Sequence, residues 1–212
     1  MTATLLDLDR LESAKPETDP FPFLVVSQFL RSEAVPLVMA DFPAVFEPRN
    51  HEVGAFSHGP AFDQLLQELS APEFVGLLGE KLGVGDLETL PQNVTVRAMC
   101  EASDGNVHRD HWSKCVTLLL YPNIGWDAEG GRLRFLRSKD IDDYAAEVVP
   151  TDGTMLAFRR NARSYHGHHP HVGPRKVVQV SWLRTHRLAR AAQGLARRVT
   201  HARKRLGIHP DH

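Results

Sequence analysis

His108-Arg109-Asp110, followed by His166 and then, nine residues further on, by Arg175, is the set of side chains in this chain best equipped to do chemistry. Two imidazoles and one carboxylate on one face of a ferrous ion leave three of its six coordination positions open, which is what a metal that must bind reactants requires. A structural metal site would close them all. Neutral imidazole and carboxylate also match Fe(II) in hardness and charge.

The spacing has a geometric reason. If residues 107–111 run extended into a strand end, side chains at i and i+2 point the same way, so His108 and Asp110 reach one ion while Arg109 points away. His111 then shares the side of Arg109 and faces substrate or solvent. A third ligand must come from a distant segment. Ser164-Tyr165-His166-Gly167 offers one, since it follows the strand-like Thr154–Phe158. The run His166-Gly167-His168-His169-Pro170-His171 leaves both His166 and His168 open as that ligand; Pro170 and Gly173 read as a hairpin loop between two strands.

Several stretches in order resemble one family. His108 through Asn123, then Trp126-Asp127, then Gly130-Gly131-Arg132-Leu133-Arg134 are similar to the run from first ligand through two core strands in the 2-oxoglutarate- and Fe(II)-dependent dioxygenases, prolyl-hydroxylase-like branch. The resemblance covers about residues 90–184, and the N-terminal part only in outline. It implies His108, Asp110 and His166 as the iron ligands and catalytic centre, with His168 as the fallback, because this branch places its arginine at the interval that separates His166 from Arg175. It implies Fe(II), 2-oxoglutarate and O2 as cofactor and cosubstrates, with ascorbate as a reductant. Hydroxylation of a C–H bond would accompany conversion of 2-oxoglutarate to succinate and CO2.

By the same resemblance Arg175 grips the far carboxylate of the cosubstrate. A planar guanidinium fork suits a carboxylate better than the ammonium of Lys176 would. Tyr121 falls where the branch places a tyrosine on that carboxylate. Thr117, Leu119 and Tyr121 share one strand face at period two, and Leu133 would join the apolar wall around the cosubstrate. Arg97, on a strand leading to the first ligand, is a contact for cosubstrate or substrate. The main departure is Pro122, which follows the tyrosine in place of an apolar residue; it removes a ladder donor and should end the strand at Tyr121.

The elements that must hold these groups are legible in the patterning. Residues 1–20 are polar, and Phe21–Val26 reads as a first strand. A helix capped by Ser32 runs to about Phe42. Pro60–Leu69 is a second, with Phe62, Leu65, Leu66 and Leu69 at helical intervals, and a third follows a capping box at Ser70-Ala71-Pro72-Glu73 and ends near Gly83. From Thr89 to Leu183 short apolar and β-branched runs alternate with Gly, Asp and Pro. The expected fold is therefore mainly β with flanking helices. It has a double-stranded β-helix core (jelly roll, cupin-like) at about 89–184, a helical layer at about 30–85 packed outside the sheet, and one catalytic domain over 1–184.

At 212 residues one sizeable core is affordable. Cys100 and Cys115 lack a disulfide-framework spacing, and Met1–Ala14 carries four charges rather than an apolar leader, so a reduced cytoplasmic setting is expected. Residues 184–206 hold seven arginines and Lys204 with no acid, against a formal net charge of −1 for the whole chain. Leu188, Ala192, Leu195, Val199, Ala202 and Leu206 form one stripe, so 185–212 reads as a basic amphipathic C-terminal helix and tail. That helix is compatible with docking on the barrel, homodimerisation or peripheral membrane contact. It lacks the aromatic interleaving of a nucleic-acid binder, and Gly194 and the small alanines weaken insertion. The substrate stays open among a peptidyl residue, a sugar or glycan, and a small metabolite. The alternative reading is a non-catalytic jelly roll that binds a metal or carboxylate as a sensor or interaction module.

Overall fold

The structure is a computed structural model, which describes residues 3–184. The expected basic C-terminal helix lies outside the described residues. Among the described residues nine strands form two antiparallel sheets. The large one has the order β1 (Phe23–Val26), β7 (Thr154–Arg159), β4 (Lys114–Tyr121), β9 (Gly173–Leu183), β3 (Gln92–Cys100), β2 (His51–Glu52). The small one has the order β6 (Tyr144–Val148), β5 (Leu133–Leu136), β8 (His166–Gly167). Facing sheets with sequentially distant neighbours are the jelly-roll arrangement that the even strand spacing predicts.

β4 shows why the core reads as an unbroken apolar run rather than an alternating one. Both faces of the large sheet are covered. Val116, Leu118 and Leu120 point outward with Val96, Val178, Val180 and Trp182, and pack under helices α2 (Ala34–Ala40), α3 (Pro60–Leu69) and α4 (Pro72–Leu82) through Phe62, Leu65, Leu69, Phe74 and Leu78. Leu119 and Tyr121 point inward with Leu156, Phe158 and Val177, meeting Leu133, Phe135 and Val148 of the small sheet. Phe135 sits 4.5 Å from Phe23 and 5.5 Å from Phe158, ring centre to ring centre, so aromatic packing closes the space between the sheets at this end. β4 ends at Tyr121, where Pro122 cannot donate to the ladder.

The N-terminal region departs from the sequence reading in three places. A short helix, α1 (Leu8–Ser13), lies in the stretch read only as polar; Asp7 caps it by accepting from the Arg10 N–H, and Leu11 is wholly buried. Ser32 does not cap α2, because its hydroxyl turns to the Glu33 carboxylate and Glu33 occupies the cap position. The capping box at Ser70 does not form either. With only Ser70 and Ala71 between α3 and α4, Ser70 is spent as the C-cap of α3, its hydroxyl 2.9 Å from both the Leu66 carbonyl and the Gln92 side-chain oxygen. α4 does end at Gly83, in the left-handed conformation that favours glycine at this position (φ 66°). β1 and β2 extend the large sheet at its two edges, so residues well before 89 belong to the sheet as well as to the helical layer.

Candidate metal centre and carboxylate pocket

His108 and His166 face each other across a single antiparallel bridge: each backbone N–H donates to the other's carbonyl at 3.0 Å. Residues paired in this way project side chains to the same side, and their rings lie 4.4 Å apart. His166 is fixed from the other edge by pairing with Phe135 in β5, and its ring rests 4.8 Å from that of Phe158. Asp110, two residues beyond His108, completes the group. One ligand atom from each of His108, Asp110 and His166 lies within 4.8 Å of the others, close enough for one ion. His168 stands outside this trio.

Both histidines are held in the same tautomer. Nδ1 of His108 donates to the Asn106 carbonyl at 2.8 Å and Nδ1 of His166 to the Ser164 carbonyl at 3.0 Å. A carbonyl only accepts, so each Nδ1 carries the proton and each Nε2 keeps its lone pair. Burial pushes the His166 pKa down to about 4, and neighbouring His108 adds to this against the pull of Asp110. Burial alone would raise the Asp110 carboxyl, but Lys114, His166 and the Thr117 hydroxyl together hold it below the ordinary carboxylate value. Thr117 donates to Oδ2 at 2.5 Å and Lys114 to Oδ1 at 3.1 Å. The donor set is thus two neutral imidazoles and an ionised, braced carboxylate, which fits a hard, borderline divalent ion such as Fe(II).

These groups open into a cavity of about 330 Å³ whose lining also includes Arg175. Arg175 is 4 % exposed, yet no carboxylate pairs with it among the described residues. Its Nε donates to the Gly131 carbonyl at 2.8 Å and one Nη to the Tyr121 hydroxyl at 3.2 Å, with the guanidinium 5.0 Å over the tyrosine ring. A buried cation left without a counter-charge is costly, and the cavity beside it is where an anion would relieve that cost.

The other sequence-derived positions divide by role. Thr117 and Leu133 line the cavity, the first bracing Asp110 and the second supplying apolar wall. Tyr121 is fully buried behind Arg175 and does not line the cavity, so it orients the guanidinium. Arg97 lines the cavity but is already engaged, at 2.6 Å from Asp104 and 3.0 Å from the Asn50 side-chain oxygen. His168 also lines it; burial and the Arg175 charge push its pKa down to about 4, and its N–H donates to the Gly105 carbonyl at 2.9 Å. Its neighbourhood is not a hairpin. β8 belongs to the small sheet and β9 to the large one, so residues 168–172 cross between sheets because His166 must reach β5 while Arg175 must reach β3.

Sequence reasoning missed Lys114, Asp104, Gly105, Val177 and Gln179, all at the cavity or its ligands. Val177 and Gln179 follow Arg175 at period two on β9 and were available from that pattern. Lys114 was not, because its reach to Asp110 depends on a turn in which the Lys114 N–H donates to the His111 carbonyl.

Residues 96–184 match the 2OG-Fe(II) oxygenase superfamily, a span that contains every residue of the trio and Arg175. Over that span, which is under half of the chain, the sequence is similar to the 2-oxoglutarate- and Fe(II)-dependent oxygenases, a family whose description implies Fe(II), 2-oxoglutarate and O2; His108, Asp110 and His166 are the residues that could hold the iron. Solved structures agree on the fold. A Pseudomonas putida prolyl-4-hydroxylase superimposes with a TM-score of 0.55 at 19 % identity, over 84 % of this chain and 92 % of that one. A prolyl 4-hydroxylase from Phytophthora capsici gives 0.58 at 16 % identity, over 86 % and 67 %. A Trichoplax adhaerens prolyl hydroxylase, in complex with a hypoxia inducible factor oxygen degradation domain peptide fragment, gives 0.50 at 17 %, over 76 % and 83 %. A comparison with curated protein sequences finds no match.

Proposed function

We propose that this protein hydroxylates a C–H bond of a peptidyl residue, with proline the first to test, converting 2-oxoglutarate to succinate and CO2. His108, Asp110 and His166 hold the iron in this reading. Arg175 holds the far carboxylate of 2-oxoglutarate. The observation that carries it is the pairing, in one cavity, of a three-donor cluster with a buried guanidinium that has no carboxylate partner among the described residues. A prolyl hydroxylase of this fold solved in complex with a peptide fragment is the precedent for the substrate class.

Iron held by the trio would activate O2, the oxidant, which takes two electrons from 2-oxoglutarate and two from the C–H bond and leaves one oxygen atom in succinate and one in the alcohol; the chain's own residues do the positioning. Asn106 and Ser164 keep the lone pairs of both imidazoles turned to the ion through their carbonyls. Thr117 and Lys114 fix the carboxylate plane. Tyr121 and the Gly131 carbonyl aim the guanidinium at the cavity, so a dicarboxylic acid enters with one end on Arg175 and the other toward the metal trio. Leu119, Leu133, Phe158 and Val177 line the same space with hydrocarbon, excluding water from the reacting groups.

The test is anaerobic binding of 2-oxoglutarate to the Fe(II)-loaded protein, then succinate release on admitting O2, for the unmodified chain and for Arg175→Met. The reading expects iron-dependent succinate formation that the substitution suppresses at low cosubstrate concentration. Absence of iron-dependent succinate from the unmodified chain, or full retention of cosubstrate affinity by Arg175→Met, would overturn it.

A further inference from the structure

The loops that carry the metal trio also carry a positive surface that the chemistry described so far leaves unused. Arg109, Lys139, Arg163 and Arg184 are exposed and Arg160 is half-buried; none of the five pairs with a carboxylate among the described residues. Contacts join Arg109, Lys139 and Arg160 to the segments that carry the trio, and Arg163 follows Ala162 in the chain. Arg109 donates to the Ala162 carbonyl at 2.9 Å and stacks 4.9 Å over the Tyr165 ring, which Lys139 approaches to 5.9 Å. Arg160 donates to the Asp110 carbonyl at 3.3 Å, and the backbone N–H of Arg184 donates to Ser113 at 2.8 Å.

Of the carboxylates near these cations, Asp140 and Asp143 beside Lys139 are exposed and have no cation partner among the described residues, whereas Asp110 and Asp142 are engaged. Asp110 is the cluster's own ligand, braced by Lys114 and Thr117. Asp140 accepts from the Asp142 N–H, and Asp142 pairs with Arg134. None of the five lines the cavity itself; Arg109 lies between two members of the trio in sequence and Tyr165 adjoins the third, so these cations flank the metal site from outside the cavity. Trp112, 37 % exposed and stacked at 5.2 Å on His111, adds one apolar contact on the same loops. One exposed indole suits a peptide side chain. A nucleic-acid strand stacks successive bases on successive aromatic platforms, and among the described residues the other exposed aromatic near these cations, Tyr144, is already covered by the Arg134 guanidinium.

We infer that the substrate is an acidic peptide, with Asp or Glu flanking the oxidised residue and pairing with Arg109, Lys139 and Arg163. This rests on the peptidyl-hydroxylase reading above and names which peptides it admits. Two features support it together: Arg109, Arg160 and Arg163 on the ligand loops pair with no carboxylate among the described residues, and Arg109 is held by the Tyr165 ring and the Ala162 carbonyl rather than left free. Such charges steer encounter and select partners more than they add affinity, so the effect should be salt-sensitive.

The experiment uses the full chain loaded anaerobically with Fe(II) and 2-oxoglutarate. Fluorescence anisotropy measures binding of three labelled probes: a proline-centred peptide flanked by Asp and Glu, the same peptide flanked by Ser, and a single-stranded DNA oligonucleotide. The acidic peptide should bind on the order of tenfold tighter than the neutral one, with the advantage shrinking as salt rises. Arg163→Glu with Lys139→Glu should erase the preference while 2-oxoglutarate affinity holds. If that variant fails to fold, the salt titration of the unmodified chain decides alone. Equal binding of both peptides at low salt, or tighter binding of the oligonucleotide than of the acidic peptide, would overturn the inference. Failure of 2-oxoglutarate to bind at all would instead count against the hydroxylase reading.

Discussion

His108 and His166 exchange both backbone hydrogen bonds at 3.0 Å, which makes the metal trio an extension of the sheet rather than a loop assembly. The bridge continues the small sheet past β8 and delivers two imidazoles to one side without a flexible arm between them. Ligands placed by a ladder are already in geometry before metal arrives.

Bracing of the carboxylate should show in metal affinity. Thr117→Val keeps the shape but removes the 2.5 Å hydrogen bond to Asp110. Fe(II) affinity should fall by about tenfold or more, the usual effect of losing a group that orients a ligand, and competition with a metal-sensitive dye would measure it. Unchanged affinity would mean that Lys114 alone suffices.

Arg175 offers a sign test. Its charge is buried and has no acid partner among the described residues, so Arg175→Met should raise the dissociation constant for 2-oxoglutarate by about two orders of magnitude, as loss of a desolvated charge-assisted pair does. The unliganded protein should hold its melting temperature or gain, because the unpaired cation has gone. Calorimetry of cosubstrate binding and thermal unfolding of the same sample report both.

Much of this site was legible from residue order because its chemistry is local. His-x-Asp needs only strand periodicity, and the interval from His166 to Arg175 carries the choice between His166 and His168. What was hidden depends on chain crossings. Lys114 meets Asp110 only after a turn, Asp104 meets Arg97 across a loop, and the passage from β8 to β9 between sheets looks like a hairpin from Pro170 and Gly173 alone. The helix caps failed for a related reason: Ser70 could serve either of two helices, and its contact with Gln92, distant in sequence, decided which.

Gly105 exposes one such hidden requirement. Its φ of 93° lies where side chains are strained, and a Cβ there would collide with the His168 ring and carbonyl. Gly105→Ala should cost about 1–3 kcal/mol, judged by the usual penalty for strained backbone, seen as a lower urea midpoint. His168→Ala in the double variant should recover only the ring's share of the cost, because the His168 carbonyl and the positive φ remain.

Acid should destabilise the metal-free protein earlier than carboxylates alone would. His166 and His168 are held near 4 in the folded chain against an ordinary value of about 6.5. Below about 6.5 the unfolded chain takes up protons that the folded one refuses, so stability present at neutral pH is lost as pH falls toward 4. Asp110, lowered from 3.8, pushes the same way but only below that value. Urea unfolding of the metal-free chain from about pH 7.5 to 4.5 should show the decline, and His168→Leu should reduce its slope.

The most direct measurement is anaerobic Fe(II) titration of the unmodified chain, His166→Ala and His168→Ala, with folding of each checked by circular dichroism. The account predicts one tight Fe(II) per chain, its loss in His166→Ala and its retention in His168→Ala. Iron held by His166→Ala and lost by His168→Ala would contradict it.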